Sequence, residues 1–189
     1  MRGPAVLLLG FLLGASGALQ AQAPARPHGA WLGAGIGVGS GRLSCKICVG
    51  DREGGTAGYL HAGVAVTRGL LLGAETLAWY SSGAVDQLIY AFQAVAFLYP
   101  SRRSGFYLKA GLGWARYAAD DDDGGEVTTH ALAAQAGIGL EVPVARGVSL
   151  VPFANLMGTT GADLEVNDTV SDQSANTSLI QIGLGLTLH

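Results

Sequence analysis

The chain has 189 residues, which is enough for one domain. Hydrophobic residues make up 49% of it and charged residues 13%, yet beyond Ala23 no run of about 20 apolar residues appears, which argues against a helical membrane protein. A net charge of −3 gives none of the basic surface that binding to nucleic acid requires.

The N-terminal segment, Met1–Ala23, is predicted to be a secretory signal peptide. Val6–Leu13 is a short apolar run, and Ala21-Gln22-Ala23 supplies small residues for cleavage. The alternative is a membrane anchor, but the run is too short to span a bilayer. Residues 24–29 are predicted to be a loose lead-in, and residues 30–189 to form a single domain.

From Ala30 onward, bulky apolar residues alternate with small or polar ones, the pattern of a strand with two different faces. In the last segment, for example, Ile180, Ile182 and Leu184 share one face, while Gln181 and Gly183 share the other. The pattern predicts eight strands, at about Ala30–Arg42, Thr56–Thr67, Leu70–Ser81, Leu88–Tyr99, Phe106–Tyr117, Val127–Val142, Val148–Met157 and Thr177–His189.

The ionisable and amide side chains of these strands fall on the small face: Glu75, Gln93, Lys109, Gln135, Glu141 and Gln181. A closed sheet in a bilayer explains this pattern, because its apolar face contacts lipid and its polar face lines the interior. Closure also pairs every backbone donor and acceptor of the sheet, which a bilayer requires. The predicted fold class is therefore all-β, an eight-stranded antiparallel up-and-down transmembrane barrel. Pro152 cannot donate to a ladder and predicts a bulge in the seventh strand.

The connections alternate in length and charge. Apart from Glu75 and Glu141, all of the 14 acidic residues lie in the longer connections, which include Asp120–Asp123 and the polar stretch 158–176. The short connections carry basic residues instead: Arg68, Arg102, Arg103 and Arg146. Short periplasmic turns and longer outer loops are typical of bacterial outer-membrane barrels, so both termini are predicted to be periplasmic.

Over residues 30–189 the chain resembles the small eight-stranded bacterial outer-membrane barrels of the OmpA membrane domain and OmpX type. The resemblance implies export to the periplasm and insertion into the outer membrane, with the lipid bilayer and lipopolysaccharide as surroundings. It also implies that the barrel-insertion machinery recognises the closing strand through Gln181, Gly183, Leu186 and Leu188. The chain departs from the family at its end, because Leu188-His189 replaces the usual terminal aromatic residue.

The inward charges Glu75, Lys109 and Glu141 need partners if they are buried in the lumen. We expect Lys109 to bridge one or both glutamates. The pair is either structural or, as the resemblance suggests, the gate of a narrow ion path. Glycines on strands 1 and 8 leave space for larger inward side chains from other strands. We therefore expect the lumen to be filled by Trp79, Gln93, Tyr107 and Phe153.

Cys45 and Cys48 lie in the first outer connection and are predicted to form a disulfide in an oxidising compartment. A zinc site is the alternative, but two thiolates do not complete it. The acidic run Asp120–Asp123 lacks the spaced ligands of a calcium loop, so it is predicted to be a solvated loop tip. No metal or cofactor is predicted.

Arg42 and Arg116 point outward near the outer strand ends, where they can contact lipopolysaccharide phosphates or form a charged collar. An outer aromatic girdle is predicted from Tyr80, Tyr90 and Trp114, and the best member of the inner one is Phe106.

The predicted function is structural or adhesive, through acidic loops that face an unknown extracellular partner, without catalysis. One alternative is a lipid A-modifying enzyme, for which His61 and His130 are the usable histidines; neither has a serine two residues away. His130 is predicted to lie where strand 6 frays, and His61 to be a buried structural residue. A secreted carrier of an apolar ligand is disfavoured because the predicted lumen is polar.

Overall fold

The computed structural model describes residues 29–44, 51–83, 85–101, 104–121, 126–166 and 169–189. The predicted signal peptide and nearly all of the lead-in lie outside these residues. None of the described residues forms a helix of the length and apolarity that crossing a membrane requires.

The regular structure is β-sheet. The described residues form ten strands: β1 (Ala30–Ser44), β2 (Glu53–Thr67), β3 (Leu70–Ser81), β4 (Val85–Leu98), β5 (Phe106–Asp121), β6 (Glu126–Leu140), β7 (Val142–Ala145), β8 (Val148–Thr159), β9 (Ala162–Val166) and β10 (Thr169–Leu188).

The strands close into a barrel. Neighbours from β1 to β6 pair antiparallel in chain order, β8 pairs with both β6 and β10, and β10 pairs with β1. β7 follows β6 after a one-residue break at Glu141, and β9 pairs with β6 and β10 at the outer end of the wall. The wall is therefore an eight-stranded antiparallel up-and-down barrel, and the predicted fold class is confirmed.

The bulge predicted at Pro152 is wrong. Pro152 lies opposite Leu184 in an unbroken register between β8 and β10. On its other side the ladder to β6 ends at Phe153 and resumes where Val142 of β7 pairs with Leu150. Because proline lacks only the N–H donor, it interrupts one ladder without inserting a residue. The irregularity lies in β7 instead, between Pro143 and Ala145.

The polar stretch 158–176 is not the plain connection that was predicted. β8 runs to Thr159, and β9 and the first residues of β10 form an antiparallel hairpin that extends the barrel outward. The sixth strand of the wall extends beyond its predicted end at Val142, because β7 continues it to Ala145 and the turn to β8 lies at Arg146–Gly147. Gly147 has a φ of 74°, a conformation that favours glycine in such a turn.

The distribution of apolar and polar side chains between surface and interior is the reverse of that in a soluble protein. Apolar side chains on the outer surface are freely accessible, with Leu112 at 71%, Trp114 at 67% and Ile182 at 57% exposure. The polar and charged inward residues of the strands are buried: His61, Glu75, Gln93, Lys109, Gln135, Asn155 and Gln181. The predicted assignment of the two faces is confirmed, with apolar side chains facing outward and polar side chains facing the lumen.

The lumen holds two apolar clusters, one toward each end. The outer plug, toward the long connections, is built around Leu77, Trp79, Ile89, Met157 and Leu179. The inner plug, toward the short turns, consists of Trp31, Leu71, Val95, Phe97, Tyr99, Tyr107 and Val151.

Candidate functional site

A layer of polar side chains lies between the two plugs. On β3, Glu75 separates Leu71 of the inner plug from Leu77 of the outer plug, and on β4, Gln93 separates Val95 from Ala91, which packs in the outer plug. Each of β2, β3, β4, β5, β6, β8 and β10 contributes one member to this polar layer: His61, Glu75, Gln93, Lys109, Gln135, Asn155 and Gln181. β1 contributes glycines, and Gly39 lies opposite Gln181.

An ion pair forms the centre of the polar layer. Lys109 Nζ lies 2.9 Å from each carboxylate oxygen of Glu75, and both side chains are buried. His61 Nδ1 lies 3.2 Å from Oε2 of the same carboxylate. Glu75 thus gathers three charge-assisted or polar contacts, which is the arrangement that makes a buried carboxylate tolerable.

Glu141 is not part of this cluster. Tyr99 donates a hydrogen bond of 2.7 Å to Glu141 Oε1, and His189 Nε2 lies 3.4 Å from the same oxygen. Of the two bridges considered for Lys109, the structure has the one to Glu75. Glu141 lies one residue beyond the end of β6, at the short-turn end, whereas Lys109 points to the middle of the lumen.

Two members of the polar layer were not singled out from the sequence as partners. His61 is the cross-strand partner of Glu75, so the register between β2 and β3 brings the two side chains together. Asn155 donates a 3.3 Å hydrogen bond to Gln181 Oε1 across β8 and β10. The alternation of β8 indicates that Asn155 points inward. Which residue it contacts depends on the register between neighbouring strands, which the alternation does not give.

Aromatic rings pack directly against the polar layer. Lys109 Nζ lies 5.3 Å from the centre of the Tyr59 ring, within cation–π range. His61 packs edge-on against Trp31, with ring centres 4.6 Å apart, and Trp31 lies 4.9 Å from Phe97. The ammonium and imidazole are therefore surrounded by aromatic surface on the inner side.

The expected filling of the glycine-lined space is present. A Cβ on Gly39 or Gly41 would come within 2.7 Å of the Trp79 ring, and Phe153 lies 4.8 Å from Tyr59 in the space beside Gly35. Side chains from β2, β3 and β8 thus occupy the volume that these glycines leave.

The outer surface carries the residues predicted to lie at the membrane edge. Arg42 and Arg116 are exposed, and Arg116 lies opposite Tyr90 on β4 and His130 on β6. His130 belongs to a paired part of β6, so the predicted fraying there is wrong. The predicted girdle residues all face outward: Tyr80, Tyr90 and Trp114 at the outer end, and Phe106 at the inner end.

Several predicted features fall outside the described residues. These are Cys45, Cys48, Arg102, Arg103 and the second half of the acidic run, Asp122 and Asp123; Asp120 and Asp121 end β5.

The closing strand presents two distinct faces. Gln181 points into the lumen and is buried, and Gly183 lies on the same face. Leu186 and Leu188 point outward and are about half exposed.

Comparison with known proteins shows likeness in structure and not in sequence. No protein-family model matches the chain, and no curated protein does. The fold is similar to that of Neisserial surface protein A, with a TM-score of 0.62 and 15% identity over 84% of this chain and 96% of that one. It is also similar to Ail, the attachment invasion locus protein of Yersinia pestis, with a TM-score of 0.52 and 11% identity over 84% and 99%. OprG from Pseudomonas aeruginosa follows, with a TM-score of 0.47 and 13% identity over 85% and 96%. The chain thus has the fold of the small outer-membrane barrels.

Proposed function

We propose that this chain is an integral protein of the bacterial outer membrane with a structural or surface-interaction role and without catalysis. The observation that carries the proposal is the reversed polarity of the closed barrel, with an apolar outer surface around a buried polar layer. A barrel of this kind is stable in a bilayer, where every backbone donor and acceptor of the wall is paired. Met1–Ala23 would direct export to the periplasm, and Gln181, Gly183, Leu186 and Leu188 would be read during insertion.

The surface-interaction role rests on the outer end of the barrel. β5, β6, β9 and β10 continue there as paired ladders, and Asp120, Glu126 and Glu165 are acidic members of these ladders. The backbone of Asp120 is paired with that of Glu126, and the backbone of Glu165 with that of Val170, so these acidic residues could meet a basic partner at low entropic cost. Ail, described as an attachment invasion locus protein, is an example of a barrel of this fold for which attachment is named.

The first test is location. Cell fractionation should recover the protein with the outer membrane, and the unheated sample should migrate differently from the boiled one on a denaturing gel, as a closed barrel does. Recovery in the soluble periplasmic fraction would contradict the membrane assignment.

The second test is adhesion. Cells that display the wild-type protein should bind a polylysine-coated surface more strongly than cells displaying a variant in which Asp120–Asp123 are changed to asparagine. Changing Arg68 and Arg146 to glutamine is the matched control, because these residues lie in the turns between β2 and β3 and before β8, at the opposite end of the barrel, and should not affect binding. Equal binding by both variants and the wild type would remove the acidic hairpins as the interacting surface.

Lipopolysaccharide contact and the absence of catalysis are tested separately. Changing Arg42 and Arg116 to glutamine should lower the retention of lipopolysaccharide by the purified protein if their guanidinium groups bind its phosphates. The lipid A mass spectrum of cells should be the same with and without the protein. Any new lipid A species that depends on the protein would favour the enzyme alternative.

A further inference from the structure

The seam between β1 and β10, where the barrel closes, is repetitive in sequence. Its inward residues are mostly glycine: Gly33, Gly35, Gly37 and Gly39 on β1, and Gly183 and Gly185 on β10. Its outward residues are aliphatic: Leu32, Ala34, Ile36 and Val38 on β1, and Ile180, Ile182, Leu184, Leu186 and Leu188 on β10. Because both patterns repeat every two residues, residue type distinguishes poorly between one register of this seam and the next.

A slip of two residues would preserve both faces of this seam. Gly37 lies opposite Gly183, and moving β10 along by two residues would place Gly37 opposite Gly185 and Leu184 opposite Val38. Every outward residue would stay outward, because side chains alternate with a period of two. Hydrophobic patterning therefore fixes the register of such glycine-rich strands only weakly.

Neighbouring seams have specific polar contacts that this one lacks on its inward side. Asn155 of β8 donates a hydrogen bond to Gln181 of β10, and His61 of β2 contacts Glu75 of β3. A slip of two residues would break either contact, so these contacts specify the registers of their own strand pairs. The glycines of β1 offer β10 no such partner, and the register of the closing seam depends on another contact.

The ring of Tyr59, which packs against the seam from β2, selects a register only weakly. The ring covers Gly35, and its hydroxyl lies where a side chain on Gly185 would stand. After a slip of two residues in the other direction, Gly183 would replace Gly185 and leave the ring the same hollow.

An arginine bridges the seam at its outer end. Arg52 immediately precedes β2, and its guanidinium crosses β1 to reach β10. Nη1 donates a 2.9 Å hydrogen bond to the backbone oxygen of Ser40, and Nη2 donates a 3.0 Å hydrogen bond to Oγ of Ser178. The guanidinium is a rigid fork, so it holds both acceptors only while they lie side by side. A slip of two residues moves Ser178 by about 7 Å along the strand, which breaks the bridge.

We propose that Arg52, with Ser178 as its partner, sets the register in which β10 closes on β1. The bridge links the segment before β2 to β1 and β10, so it forms only when the last strand arrives in the native register. The inference is independent of the surface role proposed above. It gives Arg52 a positioning role that hydrophobic patterning leaves unfilled at this seam.

The test compares disulfide cross-linking in the native and slipped registers. The full chain, with its native cysteines changed to serine, is unfolded in urea and refolded into phosphatidylcholine vesicles, and introduced cysteines are then oxidised. Val38→Cys with Ile182→Cys reports the native register, in which the two residues are directly opposite. Slips in the two directions are reported by Val38→Cys combined with either Ile180→Cys or Leu184→Cys. All of these positions face outward, so the pairs differ in register and not in environment.

Loss of the bridge should raise the share of slipped barrels. Arg52→Leu and Ser178→Ala should each increase the ratio of slipped to native cross-link by about tenfold or more, the effect of one hydrogen bond to a charged group. Arg52→Lys keeps the charge but lacks the fork, so it should behave like Arg52→Leu. Arg68→Leu is the matched control, because Arg68 is also exposed but lies in the turn between β2 and β3 at the opposite end.

An unchanged ratio in both Arg52→Leu and Ser178→Ala would overturn the proposal, and so would an equal rise in Arg68→Leu. Heat-modifiability shows whether each variant has formed a closed barrel. If Arg52→Leu does not close, Ser178→Ala, which removes a single hydroxyl, provides the comparison. Failure of Ser178→Ala to close in any register would also contradict the proposal, which requires closure out of register and not loss of closure.

Discussion

At the scale of single residues, Glu75 is the most consequential side chain of the lumen. It contacts Lys109 and His61, and Gln93 lies opposite it on the neighbouring strand. Sequence alternation predicts that Glu75, Lys109 and Glu141 all point inward. It does not tell which glutamate meets Lys109, because Glu75 and Lys109 come from strands separated by β4, and only the stagger of a closed barrel brings them together.

Glu75→Gln should destabilise the barrel strongly. The change leaves the Lys109 ammonium buried without its carboxylate, and breaking a buried pair in this way costs about 3–5 kcal/mol. The measurement is the free energy of unfolding in urea, with the protein in lipid vesicles. The double variant Glu75→Gln/Lys109→Met removes both charges and should recover most of the loss. If the double variant is no more stable than Glu75→Gln, the pair is not the source of the effect.

Gly41→Ala should also destabilise the barrel, for a steric reason. An added Cβ would lie 2.7 Å from the Trp79 ring, and overpacking of this kind costs about 1–3 kcal/mol. Gly54→Ala is the matched control, since a Cβ there meets nothing within 4 Å. Urea titration should separate the two variants, and Trp79→Leu should rescue Gly41→Ala. Equal stability of the two glycine variants would show that Trp79 is not fixed against β1.

At the scale of elements, the accuracy of the sequence prediction follows the strength of the alternation. β3 has the predicted bounds, Leu70–Ser81, because inward and outward residues alternate over its whole length. The hairpin of β9 and β10 was missed because β9 has only five residues and the facing part of β10, Ser171–Ser174, is polar throughout. Its pairing is dictated by continuation of the ladders of β6 and β10 beyond the apolar zone and not by hydrophobic periodicity. The bulge assigned to Pro152 failed because sequence does not show which ladder a missing donor interrupts.

β10 offers a test of which part of a strand lies deepest in lipid. Ile182 is outward-facing in mid-strand, opposite Val38 and Ala154, while Leu188 is outward-facing at the strand end. Ile182→Arg should lower the free energy of unfolding by about 2–4 kcal/mol, and Leu188→Arg by only about 0–1 kcal/mol, because a charge costs most at the bilayer midplane. Refolding titrations in lipid vesicles measure both. Equal losses would contradict the proposed placement of the barrel across the bilayer.

At the scale of the whole molecule, closure and sidedness are linked. β1 pairs with β10 from Leu32 opposite Leu188 to Ser44 opposite Asn176, and this pairing closes the barrel. The start of β1 and the end of β10 therefore lie side by side at the short-turn end. The longer paired extensions stand at the other end. The alternation of short and long connections therefore indicates both the up-and-down topology and the proposed orientation, in which the short turns are periplasmic.

Two exposed turn positions test that orientation on intact cells. Ser82 lies in the connection from β3 to β4 at the long end, and Arg146 lies in the turn before β8 at the short end. In a Cys45→Ser/Cys48→Ser background, Ser82→Cys should react with a bulky polymer-linked maleimide added outside the cells. Arg146→Cys should react only after the outer membrane is broken, because the bilayer and the filled lumen both block the reagent. The reverse pattern would place the acidic hairpins in the periplasm and remove the basis for a surface role.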